Sequence, residues 1–315
     1  VKAEFHYGKA QVSTYRTYAT PLAGLTPIPE SSFTGRPNVL LAAEIDVQVM
    51  GDSFLAAYTE GDNSNVVATD TMKNFIHRQS LAFTGATLEG WLFFLGEKFL
   101  ETYPQMERLR VSGQELSFEP ARVPSGDGTG DTEAVGFEDS TVLFHRRKDD
   151  RSIATVELDR TADGQVILTE LRCGRTGLQL IKVTGSAFLS FPRDEFTTLP
   201  ERKDRPLFIY LDIAWRYVDP MVAVEPVVAR YVAAEQVADL AAAVFHQFVS
   251  LSIQHLVHEI GTRMLDRWPQ LDEVSFEAQN RLWDTAEVSE EVDRVRVYTD
   301  PRPPYGRIGL TLRRE

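Results

Sequence analysis

Few side chains in this sequence suggest chemistry by type and spacing alone, and the first to weigh are His255, His258 and Glu259. On a helix these positions fall close enough to share a face, where two imidazoles and a carboxylate could hold a metal ion. The same residues also suit a solvated polar face opposite Ile253, Val257 and Ile260, and with no further ligand indicated elsewhere that reading prevails. No phosphate-binding P-loop, dinucleotide glycine fingerprint, nucleophile-elbow serine or zinc-protease helix occurs. Cys173 is the only cysteine, which excludes an intrachain disulfide and a multi-cysteine metal site. No metal or other cofactor is expected.

Charge limits the ligands further. With 33 Lys and Arg against 46 Asp and Glu the net charge is −13, so polyanions are repelled and nucleic acid is not expected as a partner. A small anion remains possible, because a local Arg or Lys can dominate the field inside a cleft. At 315 residues, 43% hydrophobic and 25% charged, the chain can bury a substantial core, spread over two domains. No apolar run is long enough to span a bilayer, and the start shows no signal-peptide stretch. The end, Leu312-Arg313-Arg314-Glu315, is not a peroxisomal address. The expectation is a cytoplasmic protein with no membrane partner.

The elements that would position any site follow from periodicity. Leu41, Ala43, Ile45, Val47 and Val49 alternate with Glu44, Asp46 and Gln48, predicting a half-buried strand over Val39 to Val49. Strands at Phe5 to Tyr18, Arg108 to Phe118 and Thr141 to Arg146 read less cleanly. Leu88, Trp91, Leu92, Leu95, Phe99 and Leu100 predict a helix with one apolar face, ended by Pro104; a shorter helix follows Thr69, with Thr69 or Asp70 as its cap. The second half repeats this order. Strands are expected at Ile153 to Leu158, Val166 to Arg172 and Leu207 to Trp215. Helical stripes follow through Val237, Leu240, Val244, Phe248 and Leu251, then through Ile253, Leu256, Val257, Ile260 and Met264, with Ser250 or Ser252 as the cap between them. Strands at Glu273 to Trp283 and Arg307 to Leu312 close the unit. The pattern predicts an α+β protein with two successive units, residues 1–148 and 149–315, each an antiparallel sheet covered by a helix pair. Pro120 to Thr132 and Pro27 to Pro37 read as loops without chemistry.

Several short motifs then combine. Tyr7-Gly8-Lys9, Gly61-Asp62-Asn63, Val66-Val67-Ala68-Thr69-Asp70-Thr71 and Lys73-Asn74 occur in the first half. Phe188, the run Phe191 to Leu199, Arg205, and Pro304-Tyr305-Gly306 with Ile308 occur in the second. Taken singly, Lys9 could be a solvated lysine, Thr69 a cap, Phe188 core and Arg205 a surface charge. Together, in this order over nearly the whole chain, they resemble the urate oxidase family.

That resemblance implies two tandem tunnelling-fold domains forming a homotetramer that encloses a tunnel, with sites shared between subunits. It implies a cofactor-free oxidation of urate by molecular oxygen, the co-substrate, to 5-hydroxyisourate and hydrogen peroxide. By resemblance Phe188 stacks on the purine, Arg205 supplies a bidentate fork, and Gln254 with the Ile253 N–H reads the opposite edge, near Ile308. Lys9, hydrogen-bonded to Thr69, is the general base. Thr69 and Asn280 hold oxygen and then water above the ring, and Asp70 either positions the loop, bonds the substrate edge or caps the helix. In the family Lys9 and Thr69 come from one subunit and Phe188, Arg205, Gln254 and Asn280 from its neighbour.

Two departures stand out. The segment Ser250 to Gln254 is shorter than is usual in the family, and Leu282 occupies the position where the family usually has histidine. Strand alternation would put Leu282 on the face of Asn280, leaving Lys9 and Thr69 as the whole relay. His6 faces away from Lys9 and does not substitute. The departure admits other classes, a purine-binding sensor or scaffold without turnover, or another tunnelling-fold enzyme acting on a purine or pterin. The retained Lys9, Thr69, Arg205 and Asn280 favour the oxidase.

Overall fold

A computed structural model describes residues 4–125, 136–147, 149–225, 228–281 and 283–315. In chain order the first strands are β1 (Tyr7–Thr17), β2 (Leu22–Ala23), β3 (Gly35–Arg36) and β4 (Leu40–Met50), followed by helices α1 (Leu55–Thr59), α2 (Thr69–Ala82) and α3 (Leu88–Thr102). Then come β5 (Arg108–Glu115), β6 (Phe118–Pro124), β7 (Phe137–Arg146), β8 (Arg151–Arg160), β9 (Val166–Lys182) and β10 (Leu207–Tyr217). The chain closes with α4 (Met221–Val224), α5 (Ala234–Gln247), α6 (Ile253–Arg267), β11 (Leu271–Arg281), β12 (Thr285–Val288), β13 (Arg296–Tyr298) and β14 (Gly306–Arg313). The α+β class and the alternation of sheet strands with helix pairs are as the periodicity predicts.

Two compact units result. Unit one comprises Val1–Thr26, Thr34–Cys173 and Pro220–Tyr231; unit two comprises Pro27–Phe33, Gly174–Asp219 and Val232–Glu315. The division therefore falls inside β9, not at 148/149, where a charged run suggested it. The physical reason is that β8 pairs antiparallel with β5 from Gln114↔Ile153 to Arg108↔Asp159, so the first unit's sheet holds it. Lys148 itself lies outside the described residues.

In unit one the strand order is β1-β4-β5-β8, all antiparallel, then the first part of β9. Ile45, Val47 and Val49 alternate into the core, and α2 packs on β1 while α3 packs on β5 and β8, with Trp91, Leu95 and Phe99 each fully buried. α3 lies very close on β8, since a Cβ on Gly96 would lie 2.4 Å from the side-chain Cδ1 of Leu158. Thr87 caps α3, its hydroxyl accepting from the Gly90 N–H at 3.1 Å. Glu89, in the first turn of α3, is only 5% exposed. Burial pushes its carboxyl up to about 7, even though the Tyr231 hydroxyl donates to it at 3.0 Å and Cys173 lies beside it. The same burial raises the Cys173 thiol.

In unit two the rest of β9 is followed by β10-β11-β14. α6 packs on β11 and β14, and α5 on α6. Ser252 caps α6, accepting from the His255 N–H at 3.1 Å. Leu251, placed by spacing on the α5 stripe, lies outside that helix and is exposed, because α5 stops at Gln247 and Phe248 is already extended. The Lys182 ammonium closes the α5 terminus by donating to the carbonyls of Phe245, His246 and Phe248 at 2.9, 3.4 and 2.7 Å.

Two hairpins form separate two-stranded sheets, β6-β7 and β12-β13. The predicted loop from Pro120 to Thr132 belongs to β6 as far as Pro124, Ser125 follows it, and residues 126–132 lie outside the described ones. Among the described residues no helix is long and apolar enough to cross a membrane.

Candidate functional site

In unit one, Tyr7-Gly8-Lys9 opens β1. A Cβ on Gly8 would sit 1.8 Å from the Val47 carbonyl oxygen, so only glycine lets β1 pass this close to β4. The pairing jumps from Lys9↔Val47 to Val12↔Ile45, a β-bulge, with Gln11 at φ 56 and its N–H donating to Asp46 Oδ1 at 2.6 Å. Val47 and Ile45 share the helix-covered face, and residues directly opposite one another point to the same face. The bulge thus turns Lys9 onto the side of α2, where it is half-buried. Just ahead of α2 the Tyr7 hydroxyl accepts from the Val67 N–H at 3.2 Å, and burial raises the Tyr7 phenol.

α2 begins differently from expectation. Ala68 is the N-cap residue and no side chain caps the helix; Thr69 is its first residue and is exposed. Asp70 does not cap either. Its carboxylate takes Lys73 Nζ at 2.5 Å and Asn74 Nδ2 at 3.1 Å, one turn further along the same helix. Lys73 foremost, with a smaller contribution from the charge of Lys9, holds the Asp70 carboxyl below its ordinary range. Lys9 therefore stands near the start of α2, but no hydrogen bond joins it to Thr69, whose side chain is on the solvent side.

In unit two, three chain segments are sewn together. Phe188 and Arg202 exchange main-chain hydrogen bonds at 2.9 and 3.0 Å, the Arg205 N–H donates to the Ser186 carbonyl at 2.9 Å, and the Ala187 N–H donates to the Ser250 carbonyl at 2.8 Å. Ser250 Oγ donates to Ser186 Oγ at 3.2 Å, both residues being buried. Asp204 fastens the same turn, accepting from Thr184 Oγ1 at 2.6 Å and the Gly185 N–H at 2.7 Å. Hydrogen bonding from Thr184 first, then the neighbouring backbone N–H groups, holds the Asp204 carboxyl low. Because that carboxylate is spent on the turn, the adjacent Arg205 keeps its charge free.

The result is an aromatic face next to a cation. The Arg205 guanidinium carbon lies 5.5 Å from the centre of the Phe188 ring, which stacks on Phe191 at 4.8 Å. Burial, with repulsion from Arg202, lowers the Arg205 guanidinium. Arg205 and Asn280 line one cavity of about 390 Å³, together with Arg202, Arg281, Trp283 and Tyr298. Within unit two Asn280 sits opposite Ile209 on β10 and Gly306 on β14. Arg205 Nε, Asn280 Oδ1 and Trp283 Nε1 are each buried without a hydrogen-bond partner. The Arg281 guanidinium lies 4.3 Å from the Tyr210 ring centre and 4.7 Å from that of Tyr305.

Phe188, Ile253, Gln254 and Ile308 do not border this cavity. Ile253 is buried in the first turn of α6, Gln254 beside it is exposed, and Ile308 is half-buried opposite Ala278. His255 and His258 each lie 3.7 Å from Glu259, and among the described residues no group of three or more His, Cys, Asp or Glu is arranged to hold a metal. Leu282 lies outside the described residues. Sequence reasoning missed Lys182, Asp204 and Trp283, none of which carries a periodic or motif signal; an Asp next to an Arg reads equally well as an ion pair.

Comparison with known proteins matches the Uricase family model over residues 38–148 and 171–309. A uricase of Haloferax volcanii is 47% identical over 302 residues, covering 96% of this chain and 95% of that protein. The uric acid degradation bifunctional protein of Bacillus subtilis is 43% identical over 317 residues, all of this chain but only 62% of that protein's length. The crystal structure of a urate oxidase from Bacillus sp. TB-90 superposes with a TM-score of 0.93 at 42% identity, covering 98% of this chain and 100% of the other.

Proposed function

The chain belongs to the uricase family, and from that premise we propose that it oxidises urate with molecular oxygen and water to 5-hydroxyisourate and hydrogen peroxide. The observation that carries the reading is the pair of buried, unpartnered atoms Arg205 Nε and Asn280 Oδ1 on one cavity wall, with the Phe188 ring next to the guanidinium. Buried polar groups without partners are costly; a planar anion supplies an acceptor for Arg205, and a water above its ring supplies a donor for Asn280.

Arg205 forks onto the anion, Phe188 stacks on it, and Gln254 with the Ile253 N–H reads its far edge at the positive end of α6, alongside Ile308. Lys9 takes the proton whose loss makes urate reducing enough to pass an electron to oxygen, and Thr69 relays it. Thr69 and Asn280 hold oxygen and then the attacking water, while Asp70 steadies the first turn of α2 through Lys73. No metal or flavin takes part. Hydroxylation at C5 consumes one oxygen molecule and one water, and the other product is peroxide.

Lys9 and Thr69 act from unit one of one subunit on urate clamped by unit two of another, in a homotetramer of chains with two tandem repeats each. The outer strands β1 and β14, each with one edge unpaired within its own unit, support such edge-to-edge assembly. Cytoplasmic placement accords with a single buried thiol. The test mixes purified protein with urate in air, without added metal or flavin. Loss of urate absorbance with matching peroxide release is expected; tight urate binding with neither would replace the oxidase by a sensor.

A further inference from the structure

The cavity in unit two presents one more unsatisfied polar atom than the proposed roles use. Arg205 Nε is assigned to the purine and Asn280 Oδ1 to the water above its ring, but Trp283 Nε1 is also buried without a partner, and Trp283 lines the same cavity. Trp215 Nε1 and Arg267 Nε, unpartnered too, belong to residues that do not border it. The cavity wall thus offers two N–H donors and one carbonyl acceptor with nothing to bond.

The indole is held in place on both sides. Its ring stacks on Tyr298, with centroids 5.0 Å apart and planes 22° apart, and meets the edge of Phe208 at 6.0 Å and 64°. A ring clamped in this way aims its N–H without paying rotamer entropy on binding. Unlike imidazole, an indole N–H donates only and cannot accept a proton, so its preference for negative charge does not change with pH. The surrounding charge agrees. Arg202, Arg205, Arg281 and Arg296 line the cavity, against Asp204, which is committed to Thr184 and Gly185, and Asp284, which lies 3.7 Å from Arg302.

We propose that the indole N–H of Trp283 is a further substrate contact, donating to the purine anion held by Arg205 and favouring it more as its charge grows. This rests on the urate reading above. A donor aimed at a developing anion is worth more in the reacting state than in the bound state.

Trp283→Phe removes the N–H and keeps an aromatic ring between Tyr298 and Phe208. The kcat/KM for urate should fall about tenfold or more, and the anaerobic dissociation constant of urate, read by titration calorimetry, should rise by several-fold, as for loss of a hydrogen bond to a charged group. Tyr298→Leu, which loosens the indole and leaves the N–H, should give a smaller loss in the same direction and serves if the first variant does not fold. Values for both variants within twofold of wild type overturn the proposal. So does a loss accompanied by dissociation of the assembly in light scattering with the affinity of the intact assembly unchanged. A wild-type protein that neither binds nor consumes urate overturns the oxidase reading instead, so the two failures are distinct.

Discussion

Unit two holds Arg205 and Asn280 with buried, unpartnered atoms against a cavity, whereas unit one leaves Thr69 exposed and Lys9 half-buried with no hydrogen bond between them. The side proposed to recognise is built within one unit: Asp204 holds Thr184 and the Gly185 N–H, while Ser186 and Ser250 bond each other and accept from the Arg205 and Ala187 N–H groups, fixing where Phe188 and Arg205 stand. The side that reacts is only brought near, on the first turn of α2. Recognition of a planar anion needs fixed angles, while a base needs its surroundings closed before it works, and in the proposed assembly a second copy closes them.

The contrast can be broken most directly at Lys9. Lys9→Met should lower kcat roughly a thousandfold, as loss of a general base does, with anaerobic urate affinity within about threefold of wild type. Equal losses of affinity and turnover would erase the distinction between the halves.

A control within unit one, apart from Lys9 and Thr69, is Glu89. Its carboxyl, at about 7, lies above the ordinary 4.5, so the stability it contributes is fully present below the ordinary value and is lost as pH rises through about 7. Linkage sets that loss at about 3 kcal/mol. Thermal melts of Glu89→Gln should therefore decline less than wild type between about pH 5 and pH 8 by the same linkage, with kcat unchanged. Parallel pH profiles for the two proteins would show that the carboxyl ionises freely.

Arg205→Ala should raise the urate dissociation constant by roughly thirty- to a hundredfold, the usual consequence of removing a charge-assisted fork. Calorimetry that finds unaltered affinity would remove unit two as the recognising half. The smallest effect is expected at Thr184→Val, which deletes one hydrogen bond to Asp204: a rise in KM of about threefold with kcat held, measured by initial rates. A fall in kcat alone would mean that the turn serves the chemistry and not the grip.

Strong periodicity made most of the frame legible. Ile45, Val47 and Val49 declared β4, and Leu92, Leu95 and Phe99 declared α3, because burial on one face leaves a regular mark. Where tertiary pairing decided, the sequence was silent. β8 reads as a strand in any unit, and only its partner β5 assigns it. Leu251 fits a helical stripe until α5 ends at Gln247. Thr69 reads as a cap because its type suits one, yet the chain enters α2 through Ala68. The candidate site residues stand out in the sequence as a set and not singly, and Asp204 and Trp283 belong to a turn and a cavity wall that no spacing encodes.

The irregularity at Gln11 makes β1 a parity counter. A strand of strict alternation would have left the amine of residue 9 on the side opposite Val12; one supernumerary residue reverses that phase. Length changes in this short stretch consequently act in an odd–even manner. Deleting Gln11 would leave residues 9 and 12 an even two steps apart, with the bulge gone and the ammonium on its present side, while deleting Ala10 and Gln11 together would deliver it to the far surface of the sheet.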